Sequence, residues 1–176
     1  MHFKDANVLI TGGASGIGRI MGRMALEKGA ARLIIWDINE SNIEIVKSEL
    51  SSKGQVSGYR VDVSDKKVIE DAYAATVKEC GPVDIVIQCA GIVTSNATFD
   101  KLTTPDIERT MAINAVAPMN VAHVMLPDMI KRDKGHICNI ASAAGMLSMP
   151  KMSVYSASKW SVIGWSDSVR IELAKM

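Results

Sequence analysis

Tyr155 and Lys159 stand four residues apart in the stretch VYSASKW. On a helix that spacing places both side chains on one face. A free tyrosine, with a pKa of about 10, is a poor base near neutrality. An ammonium one helical turn away stabilises the phenolate, which makes the pair a candidate for moving a proton to or from an alcohol. The chain has three tyrosines, so the spacing also arises by accident, and other parts of the sequence must decide.

A second group lies near the amino terminus. The stretch Thr11-Gly12-Gly13-Ala14-Ser15-Gly16-Ile17-Gly18 falls between an apolar run and a helical pattern. Glycines at 12, 16 and 18 allow a tight turn, close approach of backbone to phosphate and close helix packing. The helix start supplies unpaired N–H groups and partial positive charge for a pyrophosphate. Asp37 follows Gly18 by 19 residues and ends the next apolar run. That is the position of an acid that hydrogen-bonds an adenine ribose, and its charge would repel a 2′-phosphate. No lysine or arginine lies between Thr11 and Gly18 to offset it. NAD is therefore expected over NADP. The bland alternative is that Asp37 caps the helix that follows.

Alternating strands and helices position these residues. Strands are expected at Asn7 to Ile10, Arg32 to Asp37, within Val56 to Val63, at Val83 to Gln88 and at His136 to Ser142. The first helix carries Ile17, Ile20, Met24 and Ala25 at helical spacing and ends at Gly29. Asn39 is placed to cap a second helix through Ile43, Val46 and Leu50. A third runs from Ser64 through Val68, Ala72 and Ala75 to a stop at Gly81-Pro82. A long helical region spans about Pro105 to Ile130, with a kink expected at Pro118. A last helix covers about Ser153 to Lys175. Strand, helix, strand with short connections means parallel pairing and right-handed crossovers. The expected fold is α/β, a doubly wound parallel sheet of Rossmann type, with residues 1–176 as a single dinucleotide-binding domain.

Bulk properties exclude other classes. The net charge is +1 and hydrophobic residues make up 48% of the chain. Neither asks for a nucleic acid or an anionic membrane. Cys80, Cys89 and Cys138 are odd in number and form no CxxC, which fits a reducing compartment better than a disulfide framework. The apolar run from Val83 to Val93 is too short to span a bilayer and contains Asp84 and Gln88. A cytoplasmic protein is expected. His2, His123 and His136 make no pair at metal-ligand spacing, and no metal is expected.

The TGxxxGxG spacing resembles the short-chain dehydrogenase/reductase family, and the resemblance extends along the whole chain. Thr11 to Gly18, with Ser15 and Ile17, is similar to the family's cofactor loop. Asp62-Val63 is similar to its adenine-side pair. Asn114 falls where the family keeps an Asn in the fourth helix. Ser142 matches the Ser ending the fifth strand, and Tyr155 with Lys159 matches its YxxxK. Where the family reads Asn-Asn-Ala-Gly, this chain reads Gln88-Cys89-Ala90-Gly91. Ala90 and Gly91, which let the cofactor approach, are kept; the local hydrogen bonding is altered. The resemblance implies that Tyr155 is the acid/base and that Lys159 also binds the nicotinamide ribose. Ser142 would orient the substrate oxygen, and Asn114 would hold a water linking Lys159 to solvent. The bland alternatives are a turn cap for Ser142, a buried polar group at a kink for Asn114 and an amphipathic anchor for Tyr155.

Within the family, LIIWDIN, AGIVT, IASAAG and YSASKWSVIGWSDSVRIEL are most similar to the retinol dehydrogenase and 17-beta-hydroxysteroid dehydrogenase branch. That implies hydride transfer between a nicotinamide cofactor and a secondary alcohol or ketone, and, within that class, a hydrophobic substrate in the manner of a steroid or retinoid. Met146, Leu147, Met149 and Met152 are placed to wall a pocket for it. A non-catalytic dinucleotide-binding or scaffolding protein is the alternative. The family forms dimers and tetramers, and Trp160, Ile163, Trp165 and Val169 offer an apolar face for a homodimer or homotetramer. Members of the branch carry an N-terminal membrane anchor in many cases, whereas this sequence starts at the first strand. It also stops inside the last helix, so the final ~70 residues of a domain of roughly 250 are expected on a longer polypeptide.

Overall fold

The structure is a computed structural model and describes residues 2–174. The chain order is β1 (Asn7–Thr11), α1 (Gly16–Glu27), β2 (Arg32–Asp37), α2 (Glu40–Leu50), β3 (Gln55–Arg60), α3 (Lys66–Cys80) and β4 (Ile85–Gln88). It continues through α4 (Thr104–Met111), a π-helical segment Ala112–Val116, α5 (Ala117–Lys131), β5 (His136–Asn139) and α6 (Ser153–Leu173). The strands form one sheet in the order β3-β2-β1-β4-β5, with β1–β2, β1–β4 and β2–β3 pairing parallel. This is the Rossmann order, with its topological switch between β1 and β4. Residues 1–90 with 120–138 make one compact unit, and residues 91–119 with 139–176 make a second.

In the first unit the central strands are apolar throughout because both faces are covered. Val8, Leu9, Ile10, Ile34, Ile35, Trp36, Val86 and Ile87 are fully buried. Alternate residues of β2 meet different helices. A Cβ added to Gly22 of α1 would lie 2.9 Å from Leu33. Trp36 instead turns its Nε1–H to Thr76 Oγ1 of α3, at 3.1 Å.

That packing overturns the expected faces of two helices. Ile17, Ile20 and Met24 are exposed, and α1 buries Gly18, Gly22, Ala25 and Leu26. The helix lies so close to Leu33 that small residues must face the sheet. In α3 the buried residues are Ile69, Thr76 and Cys80 rather than Val68, Ala72 and Ala75, because Thr76 is drawn inward by Trp36. The cap of α3 is Asp65, whose Oδ1 accepts from Lys67 and Val68 N–H, one residue beyond the expected Ser64. Strand β3 stops at Arg60, although Val61 and Val63 beyond it stay buried. The expected cap Asn39 does accept from Asn42 N–H, at 3.0 Å.

The long helical region is three pieces. The π-helical segment ends two residues before Pro118, and the proline that lies well inside a helix is Pro127 of α5. Pro118 has no N–H for the carbonyl four residues earlier, so the α-ladder cannot continue unbroken and the backbone widens. Strand β5 ends at Asn139, short of Ser142. The last helix is described to Leu173, and Lys175 lies outside the described residues. Among the described residues no helix is long and apolar enough to cross a membrane.

Candidate active site

The first unit presents the glycine-rich loop at the carboxyl end of β1. Gly12 has φ +66, and a Cβ there would lie 2.9 Å from the backbone of Ala90. Only glycine meets both demands. A Cβ on Gly18 would lie 2.2 Å from the Gly12 carbonyl oxygen, whereas one on Gly16 would meet nothing within 4 Å. So two glycines let the loop fold on itself, and the third leaves open space at the start of α1. Ser15 is the N-cap of α1 and its side chain caps no N–H, nor is there an acid in the first turn. The donors at the helix start therefore have no side-chain cap competing for them. Ile17 is 62% exposed beside them.

Asp37 does not cap α2, which Asn39 does. Its Oδ2 accepts from Ala14 N–H at 3.0 Å and its Oδ1 from Asn39 N–H at 3.0 Å. The carboxylate thereby braces the glycine-rich loop, and among the described residues it forms no ion pair. Asp62 Oδ1 accepts from the Ser64 N–H and hydroxyl at 2.9 and 2.6 Å, and Val63 is buried. The sequence reading left Thr11 without a role. It is 2% exposed, and its hydroxyl accepts from the N–H groups of Cys89 and Ala90, both at 3.2 Å. Thus the joint between β1 and the Gln88-Cys89-Ala90 stretch is held by a threonine hydroxyl. The signal available in the sequence was a Thr closing an apolar run directly before a glycine pair.

The second unit brings Asn114, Ser142, Tyr155 and Lys159 onto neighbouring elements. Lys159 is only 6% exposed; its Nζ donates to the Ile140 carbonyl at 2.9 Å and sits 5.9 Å from the centre of the Tyr155 ring. Ser142 caps a short 3₁₀ turn, Ala143–Gly145, by accepting from Ala144 N–H at 3.2 Å. That turn packs on α6: a Cβ on Gly145 would lie 2.8 Å from the Lys159 carbonyl oxygen. Accepting one bond leaves the Ser142 hydroxyl proton for another partner.

Asn114, in the π-helical segment, is fully buried. Its amide pairs with both backbone groups of Ile92, at 2.8 Å each, and donates to Ser158 Oγ at 3.2 Å. Neither Ile92 nor Ser158 stood out in the sequence. A small cleft beside Tyr155 is lined by Val93, Thr94, Ser95, Leu102, Met152 and Val154, with Lys151 its one charged side chain. Of the four apolar residues expected to wall a pocket, Met152 lines this cleft, while Met146, Leu147 and Met149 are exposed. His2, His123 and His136 are exposed, and no group of three ligating side chains able to hold a metal occurs among the described residues.

A family profile described as short chain dehydrogenase matches residues 6–176. The chain belongs to the short-chain dehydrogenase family. This dehydrogenase-family chain is 35% identical over 173 residues to estradiol 17-beta-dehydrogenase 11 of Homo sapiens, covering 96% of this chain and 56% of that one. It is 37% identical over 172 residues to short-chain dehydrogenase/reductase family 16C member 6 of Bos taurus, covering 94% and 52%. These relatives agree with the branch named from the sequence motifs. The chain thus spans about half the length of the curated relatives it matches. Among solved structures, a short-chain dehydrogenase/reductase from Burkholderia phymatum in complex with NAD superimposes with a TM-score of 0.94 at 26% identity, covering 99% of this chain and 62% of that one.

Proposed function

We propose that this chain carries the acid–base and dinucleotide-binding machinery of an NAD-dependent dehydrogenase acting on a secondary alcohol or the matching ketone. The observation that carries the reading is Lys159. A lysine only 6% exposed is costly to bury unless its charge is partnered, and here Nζ donates to the Ile140 carbonyl and stands 5.9 Å from the centre of the Tyr155 ring. In alcohol oxidation Tyr155 Oη takes the hydroxyl proton, and the Lys159 charge stabilises the phenolate that must be present first. In ketone reduction the same oxygen returns the proton. Ser142 donates its hydroxyl proton to the substrate oxygen and so orients it. The Asn114 amide is committed to Ile92 and Ser158, so its main-chain carbonyl, which Pro118 cannot engage, is where we place the water that refills Lys159.

Glycines that leave room at the start of α1, and donors without an internal cap, fit a pyrophosphate. Gly12, Ser15, Gly16, Ile17 and Gly18 would hold it, with Asp62, Val63, Ala90 and Gly91 along the remainder of the dinucleotide. When bound, NAD supplies the hydride acceptor. Asp37, a carboxylate with no cation paired to it among the described residues, favours a free ribose hydroxyl over a 2′-phosphate. A dinucleotide sensor needs only this half and has no use for Ser142, Tyr155 and Lys159 together. The substrate reading is a hydrophobic alcohol, supported by the names of the relatives; the cleft beside Tyr155 mixes Val93, Leu102 and Met152 with Thr94, Ser95 and Ser153. Trp160, 52% exposed on α6, supports a homo-oligomer, which light scattering at micromolar concentration tests against a monomer.

Tyr155→Phe tests the core of this reading. The ring still packs, so NADH binding by fluorescence stays within about twofold. Turnover of a secondary-alcohol panel falls by ~10² to 10⁴, the usual range for a lost general acid/base. Activity within ~tenfold of the parent, ~1.4 kcal/mol in the barrier, would overturn it.

A further inference from the structure

We propose that Lys151 is a specificity-determining residue that binds a carboxylate of the substrate, so that the alcohol oxidised at Tyr155 is a hydroxy acid and the ketone an oxo acid. The inference rests on the acid–base reading of Tyr155 and adds a charged end to its hydrophobic substrate. Lys151 lines the cleft beside Tyr155 and precedes Met152, the N-cap of α6. Its backbone has φ +61, a region where a residue with a Cβ is strained and glycine is not. The other non-glycine residues at positive φ among the described residues are Asp5 and Asp133. Aspartate tolerates left-handed backbone because its short side chain can bond locally, and lysine has no such reason. Lys151 makes neither an ion pair nor a hydrogen bond among the described residues. A strained position at a cleft therefore holds a cation that the fold itself does not use.

The other lining residues say what that cation would meet. Val93, Leu102 and Met152 offer apolar contact. Thr94 offers no donor: the Thr110 hydroxyl gives its proton to the Asp106 carbonyl at 2.7 Å, so Thr94 gives its own to Thr110, also at 2.7 Å. The hydroxyls of Ser95 and Ser153 make no hydrogen bond among the described residues, so both protons remain available beside the Lys151 ammonium. No Asp or Glu lines the cleft among the described residues, and the first turn of α6 carries no acid. A neutral alcohol would use the apolar contacts and leave the three donors idle. A carboxylate on an apolar chain uses both, and its bond to the ammonium is charge-assisted. One ammonium with two hydroxyls matches the single charge of a carboxylate better than the double charge of a phosphate ester.

The test compares 3-, 5- and 9-hydroxydecanoate, each with its own methyl ester. Affinity is measured by calorimetry with NADH bound, and turnover is measured with NAD. At least one acid should bind about fivefold more tightly than its ester, and the preference should shrink when ionic strength rises from about 0.05 to about 0.5 M. Lys151→Glu should reverse the preference, and Lys151→Arg should keep it. Lys151→Gly, which relaxes the backbone, should lose it with a melting temperature no lower than the parent's. Acids and esters of equal affinity in the parent, or a parent-like ratio in Lys151→Glu, would overturn the proposal. So would a lower melting temperature in Lys151→Gly, by making Lys151 a structural residue. Tyr155→Phe separates the two readings, since it should lose turnover of acid and ester alike and keep the binding preference. If it turns over like the parent, or if the parent turns over no member of the series, the acid–base reading fails and the proposal falls with it. If Tyr155→Phe is inactive while Lys151→Glu keeps the parent's ratio, the Lys151 proposal alone is overturned.

Discussion

Asp84 and Asp37 lie at opposite ends of the same parallel sheet and keep their charges in different company. Asp84 precedes β4. It accepts from Asn7 N–H at 3.1 Å and from Arg132 at 3.1 Å, and pairs with Lys134 at 3.0 Å. Arg132 also pairs with Asp128 and donates to the Val83 carbonyl, so the cluster staples the end of α5 to the start of β4. Burial alone would raise the Asp84 pKa, but the Asn7 amide, Lys134 and Arg132 outweigh it and hold the carboxyl below its usual range. Among the described residues Asp37, at the carboxyl end of β2, is held only by two backbone N–H groups. A carboxylate surrounded by cations has spent its charge on the fold. One braced by neutral donors keeps its charge available to a ligand, and it stands at the strand ends where ligands bind.

The sharpest way to break that contrast is Asp84→Ala. Removing the carboxylate that Asn7, Arg132 and Lys134 share, while Asp128 still holds Arg132, should lower stability by ~2 kcal/mol, measured by urea unfolding. Binding of 5′-ADP, followed calorimetrically, should stay within about twofold. Loss of nucleotide affinity in parallel would mean the two ends are not separate. Gly18→Ala strikes the other end. Its new methyl would press on the Gly12 carbonyl oxygen, a backbone atom that must shift, and we expect affinity for 5′-ADP to fall by ~30-fold, or ~2 kcal/mol. Equal 5′-ADP affinity in the two proteins would show that the loop does not grip the phosphates.

Asp37→Ser sharpens the comparison from the other side. Relief of repulsion should narrow the ratio of NAD to NADP affinities by ~tenfold, or ~1.4 kcal/mol. Stability should change little, since the serine hydroxyl can still accept one N–H. A parent that already binds NADP more tightly would refute the cofactor assignment. The smallest effect concerns acid. A carboxyl whose folded pKa is depressed contributes stability that is intact above its unfolded value of about 3.9 and is lost as pH falls through the folded value. The parent should therefore lose more unfolding free energy between pH 5 and pH 3 than Asp84→Asn does, with the two curves parallel above pH 5. Identical slopes across that range would show that the cluster does not depress Asp84.

Much of this protein was legible from residues close in sequence. The bounds of β2, the cap at Asn39, the stop at Gly81-Pro82 and the loop from Thr11 to Gly18 each follow from signals lying within a few residues of one another: a continuous apolar run, a side chain that can take the N–H three residues on, and glycines where a side chain has no room. The spacing of Tyr155 and Lys159 is of this kind, because one helical turn suffices to bring them together. What the tertiary structure alone decided depends on distant partners. The face α1 buries was set by Leu33 lying against Gly22, so its apolar stripe came to point at solvent. Thr76 of α3 turned inward for Trp36, 40 residues away. Thr11 found its donors 78 and 79 residues on, and Ser158 its donor 44 residues back. A polar side chain carries no mark of the partner it will meet. Burial then requires that some partner be there, and only the folded chain shows which one it is.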